Sequence, residues 1–216
     1  MWARRDIDVI FEPPPAGGLA ALVGGVLFAV SDLLILAEDP DDPIGSITSA
    51  SYALSIGLAL ISAVLLIGGL VGIYAARSGA TGVFGLVGFA LAFAGEILAA
   101  GGIWSEAFVT PALAQEAPEL LLADPPGIVM FGNILTSGLL TVGWLILGAA
   151  IFRARAYPRV ATVLVLVGAV VQALPFLPPA IGVPGAVVFD VGVAWLGFAL
   201  LTGAEASTGQ QASRVR

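Results

Sequence analysis

The sequence has 216 residues, of which 59% are hydrophobic and 11% are charged, and its mean hydropathy is +1.05. This composition excludes a soluble globular domain and is typical of a protein that crosses a membrane several times. Cys, His and Lys are all absent, so we expect no disulfide, no metal site and no cofactor, including retinal held as a lysine Schiff base.

Six apolar runs predict an all-α membrane protein with six transmembrane helices, which form three hairpins. The predicted spans are residues 17–37, 51–76, 82–102, 127–152, 160–177 and 185–201. They make one transmembrane domain, residues 16–203. A polar tail, residues 1–15, precedes this domain, and a second polar tail, residues 204–216, follows it.

Two polar loops separate the predicted spans on one side of the membrane. Residues 38–43, with the sequence EDPDDP, form a charged loop that prolines interrupt. Residues 104–126 are the longest stretch that is not apolar, and its portion 111–123 is predicted to form a short amphipathic helix at the membrane surface.

All eight arginines fall on one side of the predicted spans: Arg4, Arg5, Arg77, Arg153, Arg155, Arg159, Arg214 and Arg216. The other side carries eight acidic residues and no base: Glu38, Asp39, Asp41, Asp42, Glu106, Glu116, Glu119 and Asp124. Because short loops rich in arginine stay in the cytoplasm, this distribution predicts that both termini are cytoplasmic. We therefore expect a multi-pass protein of the plasma membrane in a bacterial or archaeal cell.

Five polar side chains interrupt the predicted spans: Asp32, Glu96, Asn133, Gln172 and Asp190. Each lies five or six residues from the predicted outer end of its span, which places all five roughly 8 to 9 Å below the outer boundary. The inner halves of the spans contain no ionisable residue. These positions predict one outward-facing polar pocket for a ligand or an ion, and Ser55 is a further candidate for it.

Two interpretations of this pocket remain open. In the first, Asp32, Glu96 and Asp190 form a proton or cation site, because an ionisable residue inside a span costs free energy and usually marks a functional site. Alternatively, they are buried hydrogen-bonding groups that fix the packing of the helices. For Asn133 and Gln172 the second role, interhelical hydrogen bonding, is the favoured one.

The pattern leaves three classes of function open. The first is a small carrier or binder of a cation or a small amphiphile. The second is a structural or accessory subunit, either with a membrane protein partner or as a homo-oligomer. The third and least favoured is an intramembrane enzyme acting on a lipid or an isoprenoid, with a carboxyl pair as acid and base. Besides the lipid bilayer and a small ligand or cation, we expect no nucleic acid partner, because the basic residues are few and dispersed.

Two weaker patterns concern ancestry. At an offset of 64 residues, residues 18–34 match residues 82–98 and Asp32 aligns with Glu96, which indicates a parallel repeat of helical hairpins. The segment Leu147–Gly168, with the loop from Arg153 to Arg159, resembles small bacterial multi-pass membrane proteins classed as domains of unknown function. That resemblance implies a membrane topology and no activity.

Overall fold

The computed structural model of the protein describes residues 15–36, 38–174 and 179–214. Within these ranges the chain forms nine helices and no strand. The helices are α1 (Pro15–Ile35), α2 (Pro43–Ile47), α3 (Ala50–Ala75), α4 (Ser78–Phe108), α5 (Thr110–Glu116), α6 (Pro118–Leu122), α7 (Gly127–Ala154), α8 (Arg159–Gln172) and α9 (Pro179–Arg214). Most of the predicted N-terminal tail, residues 1–14, lies outside the described residues.

Five of these helices, α1, α3, α4, α7 and α9, are long and apolar enough to cross a membrane, so the chain has the architecture of a multi-pass membrane protein. The fifth predicted span, residues 160–177, is not confirmed. Its helix, α8, has only 14 residues, which at about 1.5 Å per residue is shorter than a hydrocarbon core of about 30 Å. Residues 175–177 of that predicted span lie outside the described residues.

Two helices are longer than the sequence predicted. α4 continues six residues beyond the predicted end at residue 102, and α9 continues to Arg214, into the predicted tail. The predicted surface helix of residues 111–123 is instead two short helices, α5 and α6. They are separated at Ala117, which precedes Pro118 and has φ −153 and ψ 59, because a residue before proline disfavours the helical conformation.

The long helices and α8 close into a ring. α1 packs on α3, α4 on α7 and α8 on α9, and these three hairpins join through α1 with α9, α7 with α8, and α3 with α4. The order around the ring is therefore α3, α1, α9, α8, α7 and α4. This arrangement gives all six helices a face toward one shared interior.

The two ends of the ring differ in charge. At one end, called the acidic end, lie the eight acidic residues predicted to share a side: Glu38, Asp39, Asp41, Asp42, Glu106, Glu116, Glu119 and Asp124. The opposite end, called the arginine end, carries Arg77, Arg153, Arg155 and Arg159 among the described side chains. α1, α4 and α8 run toward the acidic end, and α3, α7 and α9 run away from it.

Glycines let neighbouring backbones approach each other, and Gly25 is the clearest case. A Cβ atom at Gly25 of α1 would lie 2.6 Å from the carbonyl oxygen of Asp190 and 2.9 Å from the nitrogen of Ala194, both in α9. These are backbone atoms, which cannot turn aside as a flexible side chain can. A close α1–α9 contact therefore requires glycine at this position.

Gly82 has a different role, because its φ of 61 lies in the left-handed region. It separates the first turn of α4, Ser78–Thr81, from the main part of the helix. The sequence predicted a tight turn at those four residues and a span that begins at residue 82. A side chain at Gly82 would be strained even though its surroundings are open.

The interior near the arginine end is filled by large aliphatic side chains. Leu70 and Ile73 of α3, Leu147 and Ile151 of α7, and Leu196 of α9 are all 0–1% exposed. Glycines in this half, such as Gly17 and Gly72, lie where two helices touch.

A tyrosine closes the arginine end. Tyr157, in the turn between α7 and α8, donates a hydrogen bond from its hydroxyl to the carbonyl oxygen of Ile73 at 3.0 Å. Ile73 lies in the last turn of α3, where carbonyl groups lack partners within the helix. The guanidinium of Arg77 lies 5.8 Å from the centre of the Tyr157 ring. Burial raises the pKa of Tyr157 to about 12, although Arg77 acts in the opposite direction, so the hydroxyl keeps its proton at neutral pH.

We expect Tyr157→Phe to lower the free energy of unfolding by about 1–2 kcal/mol, because it leaves the buried Ile73 carbonyl without a partner. Unfolding in mixed micelles by increasing fractions of a denaturing detergent measures this change. Tyr74→Phe is the matched control, since the Tyr74 ring stacks on Phe89 at 4.4 Å and its hydroxyl makes no hydrogen bond to a described residue. Equal losses in the two variants would contradict the prediction.

Candidate functional site

A cavity of about 140 Å³ lies inside the ring, toward the acidic end. All six helices of the ring contribute to its wall. We call it the chamber, and its lining residues are Phe28, Asp32, Leu66, Glu96, Ala99, Ile103, Ser137, Leu140, Thr141, Trp144, Ala169, Gln172, Ala173, Phe189 and Asp190. The aliphatic core described above separates it from the arginine end.

Asp32 of α1 and Asp190 of α9 meet at the chamber. Their side chains are 7% and 4% exposed, and both line the same cavity. The two helices run in opposite directions and side chains lean toward the N-terminus of their own helix, so these two lean toward one another. Two carboxyl groups in contact repel unless a proton or a cation offsets their charge.

One oxygen of this pair has no partner. The Oδ2 atom of Asp190 is buried and accepts no hydrogen bond from any described residue. A buried polar atom of this kind costs free energy unless a water, an ion or a ligand satisfies it. The pair is therefore suited to contact a positively charged group.

Glu96 lies on the other side of the chamber, on α4. It is 6% exposed, and its Oε1 atom accepts a hydrogen bond from Trp144 Nε1 at 3.0 Å. Trp144 also makes an edge contact with Phe189, with 5.2 Å between the ring centres. The tryptophan thus fixes the orientation of the carboxyl group and joins α7 to both α4 and α9.

Gln172 of α8 also lines the chamber, although its side chain is exposed overall. Asn133 does not join the other four predicted residues. It lies four residues before Ser137 on α7, one helical turn closer to the acidic end, and its side chain is exposed. The structure therefore brings Asp32, Glu96, Gln172 and Asp190 around one cavity and leaves Asn133 outside it.

A second and larger cavity adjoins the chamber on the side of the acidic end. We call it the vestibule, and its volume is about 540 Å³. Phe28, Asp32 and Ile103 line both cavities. Burial raises the pKa of Glu38 in the vestibule wall above its usual value.

Two serines hold the vestibule wall together beside Asp32. The hydroxyl of Ser31 donates to the Ser55 carbonyl oxygen at 2.9 Å, and the hydroxyl of Ser55 donates to the Ser31 carbonyl oxygen at 3.1 Å. Both residues are buried. This reciprocal pair joins α1 to α3 one residue before Asp32, and it fixes the depth of that carboxyl group.

The lining of the chamber favours positive charge. It contains three carboxyl groups and no arginine. Among the described residues, however, no three acidic groups lie close enough together to hold one metal ion. The chamber also presents three aromatic rings, Phe28, Trp144 and Phe189, and aromatic faces attract organic cations.

The sequence did not indicate the aromatic wall of the chamber or the bond between Trp144 and Glu96. The spacing of residues along the sequence does not reveal such contacts, because they depend on which helices are neighbours. No family model, curated protein or solved structure shows significant similarity to the chain.

Proposed function

We propose that the protein binds a small organic cation in the chamber. The observation that carries this proposal is the convergence of three buried carboxyl groups from three helices on one cavity without a basic side chain. A weakly hydrated cation, such as a methylated ammonium group, suits this lining because the acids supply charge and the rings supply polarisable faces. The volume of about 140 Å³ is comparable to that of a cavity that holds benzene. Benzene and a methylated ammonium group have similar numbers of heavy atoms.

We place this binder in the plasma membrane with the chamber open toward the outside. The support is the arginine end, because clustered arginines mark the cytoplasmic side. In this orientation α8 takes the place of one predicted span, and both termini are cytoplasmic. A carrier function would require the aliphatic core around Leu70 and Leu147 to open during transport.

Binding of radiolabelled tetramethylammonium tests the proposal. The protein is placed in nanodiscs of phosphatidylethanolamine and phosphatidylglycerol, and equilibrium dialysis compares the wild type with Asp190→Asn. Removing one charge next to a cation in a partly buried site should weaken binding at least tenfold, on the order expected from Coulomb energies at an effective dielectric constant of about 20. Asp124→Asn, an exposed acid at the same end, is the control and should bind as the wild type does.

The alternative packing role makes the opposite prediction. If the carboxyl groups only stabilise the fold, the wild type shows no saturable binding and Asp190→Asn reduces the yield of folded protein. If the site binds a cation, Asp190→Asn retains its folded yield and loses affinity. Thermal unfolding of the wild type and of Asp190→Asn, each with and without tetramethylammonium, distinguishes the packing role from the binding role.

A second candidate function, an accessory subunit, is favoured by open glycines on the outer surface of the ring. Gly101 and Gly102 of α4 and Gly138 of α7 are exposed, and a Cβ at any of them would meet no atom within 4 Å. Small residues on a lipid-facing surface allow another helix to approach closely. Purification from native membranes in a mild detergent tests this role, since it requires a partner in stoichiometric amount.

A further inference from the structure

We infer that the cation taken by the chamber is the head group of a single-chain amphiphile, whose hydrocarbon chain lies in a groove that opens between α3 and α5 toward the bilayer. This inference rests on the proposed function and goes beyond it, because it specifies the class of ligand and its route. It depends on three features: the shared walls of the cavities, the difference in polarity between them, and the position of the groove.

Three cavities adjoin one another through shared wall residues. The chamber shares Phe28, Asp32 and Ile103 with the vestibule. The vestibule in turn shares Ile47, Tyr52 and Ile56 with a third cavity of about 310 Å³. We call this third cavity the groove. One elongated molecule can therefore occupy all three.

The groove differs in polarity from the chamber and the vestibule. The chamber contains Asp32, Glu96 and Asp190, and the vestibule contains Asp32, Glu38 and Glu106. The groove has no charged lining residue, and its wall is largely apolar, with Ala53, Ile56, Gly57, Leu60, Phe108 and Pro111. Its polar residues are uncharged. A ligand with one cationic end and one apolar end matches this order, because its charge lies among the acids of the chamber and the far end of its chain lies among the apolar groups of the groove.

The groove lies beside the lipid-facing surface of α3. Leu54, Ile61 and Val64 on this helix are 54–64% exposed, which marks the side that contacts lipid. The groove extends along α3 from Ser49 to Leu60, a distance of about 16 Å at the usual helical rise. That length is about half of a hydrocarbon core of about 30 Å. A chain in the groove therefore lies at the depth of one leaflet.

Tyr52 stands where the vestibule meets the groove. It lines both cavities, and its hydroxyl donates to the carbonyl oxygen of Glu106 on α4 at 3.1 Å. This bond joins α3 to α4 across the path. Because it is a single hydrogen bond between uncharged groups, it can open without a large loss of stability, and the aromatic ring suits a boundary between polar and apolar surroundings.

Displacement of radiolabelled tetramethylammonium by trimethylammonium cations with butyl and octyl chains tests the inference. The same nanodiscs are used, and empty nanodiscs measure how much cation partitions into lipid. For the wild type we expect affinity, expressed against the concentration in water, to rise by about fourfold for each methylene buried in the path.

Gly57→Phe fills the groove. A Cβ at Gly57 meets no atom within 4 Å, so the new ring can project into the open space without disturbing the fold. We expect this variant to bind tetramethylammonium as the wild type does and to lose at least tenfold in affinity for the octyl cation. Ala53→Phe, on the same groove wall, is a second variant with the same expectation. Gly101→Phe, on an open surface away from the groove, is the control and should change neither affinity.

The outcomes separate this inference from the proposed function. If tetramethylammonium does not bind to the wild type, the proposed function itself fails. If it binds but affinity does not rise with chain length, or both groove variants keep their affinity for the octyl cation, only the amphiphile inference is overturned. Displacement by octanol as strong as by the octyl cation would also overturn it, because the path would then accept an uncharged lipid chain.

Discussion

We expect Trp144→Ala to lower the free energy of unfolding by about 3 kcal/mol. This is the largest loss of stability that we predict for a single substitution. Trp144 is 2% exposed, contacts Phe189 and donates a hydrogen bond to Glu96. Its removal creates a cavity in the centre of the ring and leaves a buried carboxyl group without its donor. Because lipid is as apolar as the protein interior, the loss comes from packing and hydrogen bonding rather than from exposure to water.

Detergent-induced unfolding in mixed micelles measures this loss. Trp144→Phe keeps an aromatic ring and removes the N–H donor, so it should cost about 1–2 kcal/mol. Trp104→Ala is the control, since Trp104 is 54% exposed near the acidic end. A loss for Trp144→Ala no larger than that for Trp104→Ala would show that the ring is not held together at this point.

Gly25→Val is expected to produce the second largest effect, a loss of about 2–3 kcal/mol in the free energy of unfolding. The valine Cβ would lie 2.6 Å from the Asp190 carbonyl oxygen, so α1 and α9 must move apart. This movement also separates the carboxyl groups of Asp32 and Asp190. We therefore expect the affinity for tetramethylammonium to fall together with stability.

The control for this substitution is Gly101→Val, which introduces the same side chain into α4 where a Cβ meets no atom within 4 Å. Both variants carry the same cost of β-branching in a helix, so their difference reports the α1–α9 contact. If Gly25→Val retains wild-type stability and affinity, the close approach of these helices contributes little to the chamber.

Counting residues along the spans was the basis on which the sequence predicted a common level for the site. Asp32, Glu96, Gln172 and Asp190 were placed at one level by counting residues from the ends of apolar runs, and the structure has them on the wall of one cavity. The count works because the rise per residue is constant in a helix. It does not require any knowledge of which helices are neighbours.

Asn133 shows where counting stops being informative. Its predicted depth matched the others, but the chamber meets α7 from Ser137 to Trp144, and Asn133 lies one turn beyond. Asn133, Ser137 and Thr141 recur every four residues on α7 and so share one face, but this pattern does not show how far along the face the chamber extends. The span predicted at α8 is not confirmed for a related reason, since an apolar run does not show where its helix ends.

The neighbours in the ring also affect how the protein is made. Asp32 lies on the first described helix and Asp190 on the last, and Gly25 lets these two helices meet. During synthesis the carboxyl group of Asp32 has no contact with Asp190 until α9 has entered the bilayer. A chain released before α9 would keep an unmatched acid in α1 and a bundle that α9 has not closed.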